Sequence, residues 1–420
     1  MLVLGIALAS ALFAVIVVLN FATGEKKIEH SVERLYSAAD PAFGRAMGVL
    51  LGPAILHDNR FEALLNGDRI FPAMLTAIRD ATKTITFESY IYWSDAIGKA
   101  FAEALAERAR AGVKVHVLLD WVGSNKMDPT HLAVMEAAGV EVRKFHKPDW
   151  YSLARMNNRT HRKVLVVDGK VGFTGGVGIA GLWTGNAQDP QHWRDTHFRA
   201  EGPVVAQMQA VFLDNWIKAT GAVLHGDDYF PALREAGDEA AQMFSSSPSG
   251  GSDSMHLMYL LAISAAHHSI HLSSAYFVPD ALSKRALVDA LERGVKVTII
   301  VPGKHSDAAI VRRASRARWG ALLAAGAEIH EYQPTMYHCK VLIVDGLMVS
   351  VGSTNFDTRS FRLNDEANLN IYAADFARRQ IEVFNADLSQ SRQISLRAWQ
   401  RRPLAEKFLE HAASLVGAQL

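Results

Sequence analysis

Two short stretches hold the side chains best suited to chemistry, THRKVLVVDG at 160–169 and YHCKVLIVDG at 337–346. Each sets a histidine and a lysine two residues apart, ahead of an apolar, β-prone run and an Asp-Gly pair. An imidazole can attack, accept or donate a proton near neutral pH, and a neighbouring ammonium can neutralise an anion. Side chains alternate faces along an extended segment, so His161 and Lys163 point the same way, as do His338 and Lys340. Asp168 and Asp345 fall on the other parity, at a hairpin turn, where a carboxylate accepts backbone N–H groups. Core packing gives no reason for a lysine beside a histidine on one face, twice over, because lysine is rarely buried without a partner. An anion shared by both copies is the simplest partner.

Small residues close each hairpin: Gly175-Gly176 in the first copy, Gly352-Ser353-Thr354-Asn355 in the second. Such residues let a phosphate approach backbone N–H groups closely. Histidines at a reacting phosphate need a carboxylate to orient them. The candidates are Asp195 in HWRDTHF and Glu366 in LNDEANL, each downstream of the histidine in its own copy. Metal binding is the rival use for so many histidines. Among 17 histidines, however, neither AHH at 266–268 nor HCK offers a facial ligand set, and no His-Glu-x-x-His helix occurs. No metal and no other cofactor is expected.

The elements around these stretches are also written twice. AIRDATKTITFESYIYW (77–93) resembles AISAAHHSIHLSSAYFV (262–278), each a helix end followed by an apolar strand. ALAERARAGVKVHVLLD (104–120) and ALVDALERGVKVTIIVP (286–302) are each an amphipathic helix, a glycine stop and a β-branched strand. VMEAAGVEVRKF (134–145) and LLAAGAEIHEY (322–332) repeat that grammar, and the His-x-Lys hairpin comes last in both series. A duplicated α/β unit with a mixed sheet follows. Unit one is expected at 60–230 and unit two at 240–410, with the Ser/Gly/Pro-rich FSSSPSGGSDSM (244–255) marking the boundary.

The 420-residue chain accommodates two such units. Its 44 basic and 43 acidic residues leave a net charge of +1, which argues against blanket nucleic-acid binding. One cysteine, Cys339, excludes an intrachain disulfide and a cysteine-rich zinc site. Residues 1–24 carry no charged side chain, and as a helix they would reach about 36 Å, against about 30 Å of hydrocarbon. No basic residue precedes this run, which favours a transmembrane anchor over a cleaved signal peptide. Lys26, Lys27 and Arg34 follow it and place the body of a single-pass protein of the cell membrane in the cytoplasm. Residues 25–59 read as a juxtamembrane helical segment. Trp150, Tyr151, Leu153 and Met156 among Lys147, Arg155 and Arg159 suit a loop that admits anionic lipid. The arginine-rich VRRASRARW (311–319) is a solvated helix face or a lipid-phosphate contact.

The paired motifs, together with the extension GSTNFDTRSFRLNDEANL (352–369), resemble the phospholipase D superfamily and its bacterial cardiolipin synthase branch. The resemblance covers most of the chain beyond residue 60. It implies two tandem α/β/α units related by a pseudo-twofold, with both motifs meeting at one active site. His161, Lys163, Asp168, His338, Lys340 and Asp345 would form the catalytic set, supported by Gly176, Ser353, Asn355, Asp195 and Glu366. His161 is then expected as nucleophile, through a phosphohistidine intermediate, and His338 as general acid, then base. One departure stands out: Gly178 occupies a position where many members carry asparagine, whereas Asn355 retains it. The implied activity is phosphatidyl transfer to make cardiolipin from an anionic phospholipid such as phosphatidylglycerol at the bilayer, with no nucleic-acid partner. The alternatives are hydrolysis by the same site, as a phospholipase D or a nuclease, and a catalytically silent binding scaffold, against which the two intact His/Lys pairs argue.

Overall fold

The computed structural model describes residues 2–21, 28–147, 158–247 and 253–415. Two helices come first, α1 (Leu2–Phe21) and α2 (Pro41–Leu51). Unit one continues with β1 (Leu56–Leu65), α3 (Asn66–Asp80), β2 (Thr84–Ser89), α4 (Ala96–Arg110), β3 (Lys114–Asp120), α5 (Pro129–Ala137) and β4 (Glu141–Phe145). Then come β5 (Arg159–Thr160), the hairpin β6 (Val164–Val167) and β7 (Val171–Gly175), β8 (Thr196–Glu201) and α6 (Val204–Thr220). Unit two opens with β9 (Glu239–Ser246), α7 (Ser254–Ala265), β10 (Ser269–Ser274), β11 (Phe277–Val278), α8 (Ala281–Glu292), β12 (Lys296–Pro302), α9 (Ala309–Ala324) and β13 (Glu328–Tyr332). It closes with the hairpin β14 (Lys340–Val344) and β15 (Met348–Gly352), β16 (Phe356–Asp357), α10 (Thr358–Arg362), β17 (Asn364–Tyr372), α11 (Ala374–Ser389), β18 (Ser391–Ile394), α12 (Leu396–Gln400) and α13 (Leu404–Leu415).

The duplicated grammar has clear local causes. Asp95 accepts from Gly98 N–H to start α4, and Asp280 accepts from Ser283 N–H to start α8. Gly112 and Gly294 then turn the chain with φ of 91° and 90°, where any other residue would be strained. The fully buried β2 and its counterpart β10 lie between parallel β3 or β12 and the antiparallel hairpin strand β6 or β14.

The sequence suggests one mixed sheet per unit; the structure joins them into a single sheet. Its order is β18-β13-β12-β10-β14-β15-β17-β9-β1-β8-β7-β6-β2-β3-β4, with β5 attached to β17. The join is β1 against β9, through Leu56↔Ala241 and Asn59↔Glu239. On one face α3 and α4 pack over unit one, and α7, α8 and α9 over unit two. On the other face, α6 and the start of α11 share a core with strands of both units, including Val166, Met208, Met243, Ile343 and Phe376. Burying that common apolar surface fuses the halves.

Boundaries shift accordingly. The stretch 244–255 lies inside unit two, running from the end of β9 to the start of α7, with 248–252 outside the described residues, and the chain crosses between units after α6, over 221–238. Small polar residues marked a loop correctly but not which loop. Segment 25–59 is not one juxtamembrane helix. Its α2 buries Phe43, Met47 and Leu51 in unit two's core, and β1 begins at Leu56. Unit two runs past 410, since α13 packs on α9 and Glu410 pairs with Arg316. Among the described residues no helix is long and apolar enough to cross a membrane. The side chains of α1 are described only over 5–15, so much of the expected 1–24 span lies outside them.

Candidate active site

The two hairpins bring His161, Lys163 and His338 to one cavity of about 250 Å3 at the junction of the units. Each histidine is fixed through the opposite unit. His161 N–H donates to the Asp365 carbonyl at 2.8 Å, beside the β5–β17 pairing, and His338 N–H donates to the Arg194 carbonyl at 2.8 Å. Each imidazole is oriented the same way. His161 Nδ1 donates to the Glu366 carboxylate at 3.0 and 3.1 Å, and His338 Nδ1 donates to Asp195 Oδ2 at 2.7 Å. The sequence associates each carboxylate with the histidine of its own copy, whereas the structure crosses them. The cause is long-range: β5, just before His161, pairs with β17, which carries Glu366, and Tyr337, just before His338, bridges to Arg194, just before Asp195. With Nδ1–H committed to a carboxylate, Nε2 is the nitrogen left for substrate.

Lys163 Nζ donates to the His161 carbonyl at 2.6 Å, and Lys340 Nζ to the His338 carbonyl at 2.7 Å while lying 3.3 Å from His338 Nε2. Burial is the largest influence on His161; with the Lys163 charge it outweighs Glu366 and brings the imidazole down to about 4. Burial and then Lys340 bring His338 down to about 3. Burial also lowers Lys163 to about 7 and pushes Lys340 in the same direction. It works to raise Asp195 and Glu366, but the adjacent histidines outweigh it and hold both carboxyls below their usual range. The resting arrangement is therefore two neutral imidazoles on two ionised acids.

Asp168 and Asp345 are turned away from this chemistry. Asp168 accepts from Thr82, Lys83 and Thr84 N–H, and Asp345 accepts from His267, His268 and Ser269 N–H. Both have φ of 53°, followed by Gly169 and Gly346 at 62° and 64°, the conformation an Asp-Gly hairpin turn requires. The catalytic set suggested by the motif thus divides into a His/Lys group at the cavity and a turn carboxylate that braces each hairpin.

The supporting residues divide unequally. A Cβ on Gly176 would stand 2.6 Å from both Asp195 oxygens, so glycine is needed there for the acid to reach His338. At the equivalent point Ser353 Oγ donates to Glu366. Asn355 lines the cavity. Its counterpart Gly178 has no room for a side chain, since an added Cβ would meet Ile91 at 2.8 Å and the Trp183 ring at 3.2 Å. Trp183 fills that space and donates Nε1–H to Asp195 Oδ2 at 3.0 Å.

Trp183, Trp193 and Tyr90 were not singled out from sequence. Trp183 and Trp193 lie 5.2 and 5.5 Å from the His338 ring, and Tyr90 lies 5.1 Å from that of His161. The FESYIYW repeat was the one available signal for Tyr90. Arg159, Arg359, Asp357 and Tyr276 complete much of the lining. Of the proposed lipid-admitting loop, 148–157 lie outside the described residues. In the arginine-rich helix, Arg312 and Arg316 pair with the buried Glu331, which makes them structural.

A family model described as "Cardiolipin synthase, PLD-like domain" matches residues 74–191 and 259–388. A cardiolipin synthase of Geobacillus kaustophilus (strain HTA426) is 35% identical over 360 residues, covering 85% of this chain and 72% of that protein. Cardiolipin synthase 1 of Bacillus anthracis is 34% identical over 369 residues, covering 86% and 72%. Among solved structures, phosphatidylserine synthase of Haemophilus influenzae Rd KW20 superposes with a TM-score of 0.68 at 14% identity, covering 90% of this chain and all of that one. Polyphosphate kinase of Porphyromonas gingivalis gives 0.55 at 12% identity, covering 94% and 57%. At such identities these two speak to the fold alone.

Proposed function

The chain belongs to the cardiolipin synthase family of phospholipase D-like proteins, and on that premise we propose that it is a phosphatidyltransferase that joins two phosphatidylglycerols into cardiolipin and releases glycerol. The observation that carries the reading is the pair of buried imidazoles, each tied at Nδ1 to an acid of the other unit and both lining one cavity together with Lys163.

His161 Nε2 attacks phosphorus while the bond to the glycerol oxygen breaks, and His338 gives that oxygen its proton. A hydroxyl of the second phosphatidylglycerol then attacks the phosphohistidine, His338 takes its proton, and His161 leaves. A phosphodiester anion reverses the resting shifts: it favours charged Lys163 and Lys340 and supports an imidazolium at His338, which Asp195 stabilises. Two displacements at one phosphorus let an alcohol take the place of water as acceptor. The apolar α1, with Leu8, Leu12 and Phe13 more than 60% exposed, supports a membrane anchor that keeps the site at its substrate.

Product analysis with purified protein in phosphatidylglycerol vesicles tests the reading, beside His161→Ala and His338→Ala. Cardiolipin with equimolar glycerol from the unsubstituted protein alone is expected. Phosphatidic acid as the main product would replace transfer by hydrolysis.

A further inference from the structure

Behind His338 lies a buried ion pair that no step above uses. Arg194 Nε and Nη2 donate to the two carboxylate oxygens of Asp387 at 2.8 and 2.9 Å, and both side chains are almost wholly buried. Arg194 belongs to unit one and directly precedes Asp195; Asp387 belongs to α11 of unit two. The same Asp387 accepts from Tyr337 Oη at 3.1 Å, and Tyr337 directly precedes His338. One carboxylate therefore holds the residue before each member of the His338–Asp195 pair. The backbones are tied as well, by Arg194 N–H to the Met336 carbonyl at 2.9 Å and His338 N–H to the Arg194 carbonyl at 2.8 Å. Arg194 Nη1 also donates to the Asp195 carbonyl at 2.6 Å and to Thr196 Oγ1 at 2.9 Å.

A bidentate guanidinium–carboxylate pair fixes direction as well as distance. Buried pairs contribute little net stability compared with apolar replacements, so stability alone is weak grounds for building one across a unit boundary. We propose that Arg194 and Asp387 are positioning residues that hold His338 in register with Asp195, and that their loss acts on proton transfer at His338. This rests on His338 being the acid that serves the leaving alcohol.

The test uses Arg194→Met/Asp387→Asn, which leaves no uncompensated buried charge, beside Arg194→Lys and His338→Ala. Each full-length protein is assayed on phosphatidylglycerol, whose glycerol must be protonated to leave, and on phosphatidyl-p-nitrophenol, whose leaving group needs no proton. The double variant is expected to lose about 100-fold in turnover on phosphatidylglycerol, as a displacement near 1 Å at a proton-transfer group does, with KM little changed. With the activated lipid its nitrophenol burst returns to within about fivefold of the unsubstituted protein, and Arg194→Lys falls between the two. Equal losses on both lipids, or no loss on either, overturn the positioning role. Should His338→Ala itself gain nothing from the activated lipid, the assignment of His338 as acid fails first, and the two failures are told apart.

Discussion

Gly176→Ala tests the site's geometry with a single methyl group. The added Cβ would lie 2.6 Å from Oδ1 and from Oδ2 of Asp195 and 2.9 Å from its Cγ. A Cβ essentially never comes within 3.0 Å of a non-bonded heavy atom, and ordinary contact begins near 3.4 Å, so carboxylate and methyl must separate by roughly 0.4–0.8 Å. The carboxylate has little freedom to yield, because His338 Nδ1, Trp183 Nε1 and Thr196 N–H hold it at 2.7, 3.0 and 2.8 Å. A retreat of that size takes the His338 contact to or past the limit of a useful hydrogen bond. Losing a charge-assisted bond costs about 1.5–3 kcal/mol, or about 10- to 150-fold in rate if it is felt at the transition state. Cardiolipin formation from phosphatidylglycerol is the assay, with the thermal midpoint recorded alongside. Ser353→Ala is the control: it removes a donor to Glu366 and adds no atom, so its loss should be smaller. Turnover of Gly176→Ala within about twofold of the unsubstituted protein, at an unchanged midpoint, would refute the reasoning.

Glu366→Gln keeps the shape beside His161 but removes the charge that raises its pKa. Turnover should drop by about 100-fold and the acid limb of the pH–rate profile should move lower, in the range general acid–base groups command; an acid limb that moves higher would contradict it. Asp168→Ala strands three backbone N–H groups in a partly exposed turn, so unfolding in urea should show a loss of about 2 kcal/mol while turnover of folded protein stays near normal. His161 and His338, at about 4 and 3 when folded and near 6.5 when free, bind protons more readily in the unfolded chain. Their contribution to stability is full above pH 6.5 and shrinks as pH falls toward 4 and 3. The urea midpoint should therefore be lower at pH 5 than at pH 7.5, with a smaller difference in His161→Gln/His338→Gln, and a midpoint that is flat in the unsubstituted protein would count against neutral buried imidazoles.

What could be read from sequence was local. Spacing put each histidine and lysine on one face and each aspartate in a turn, and the parity argument separated Asp168 and Asp345 from the His/Lys pairs. Amphipathic spacing and glycine stops gave the helix–strand grammar of both halves for the same reason: their physics acts within a few residues. The rest depended on contacts between distant segments. Asp195 and Glu366 were identifiable as acids, but which histidine each serves is decided by the pairing of β5 with β17 and the bridge between Arg194 and Tyr337. The missing asparagine at Gly178 was visible as a departure, yet nothing nearby announces that Trp183 takes up both the space and a hydrogen bond to Asp195. The β1–β9 join was equally hidden, since either strand alone reads as an edge.

The crossed acids also explain why the two halves could diverge behind the histidines without separating. Neither unit holds a complete His–carboxylate pair, so each depends on the other for the orientation of its own imidazole. At equivalent positions the buried supports are exchanged: Glu88, Thr160 and Asn215 in one half answer to Ser273, Tyr337 and Asp387 in the other. A buried guanidinium stands behind each histidine, but at a different place in the chain. Arg162 follows His161 and meets Asp214 on α6, whereas the residue following His338 is Cys339 and the arginine instead precedes Asp195 and meets Asp387 on α11. Both arginines are contributed by unit one. The two His/Lys pairs are nearly equal, but the side chains behind them differ in charge and in hydrogen bonding. The proposed mechanism, in which one histidine attacks and the other protonates, calls for such a difference, and these buried supports are where the two halves have it.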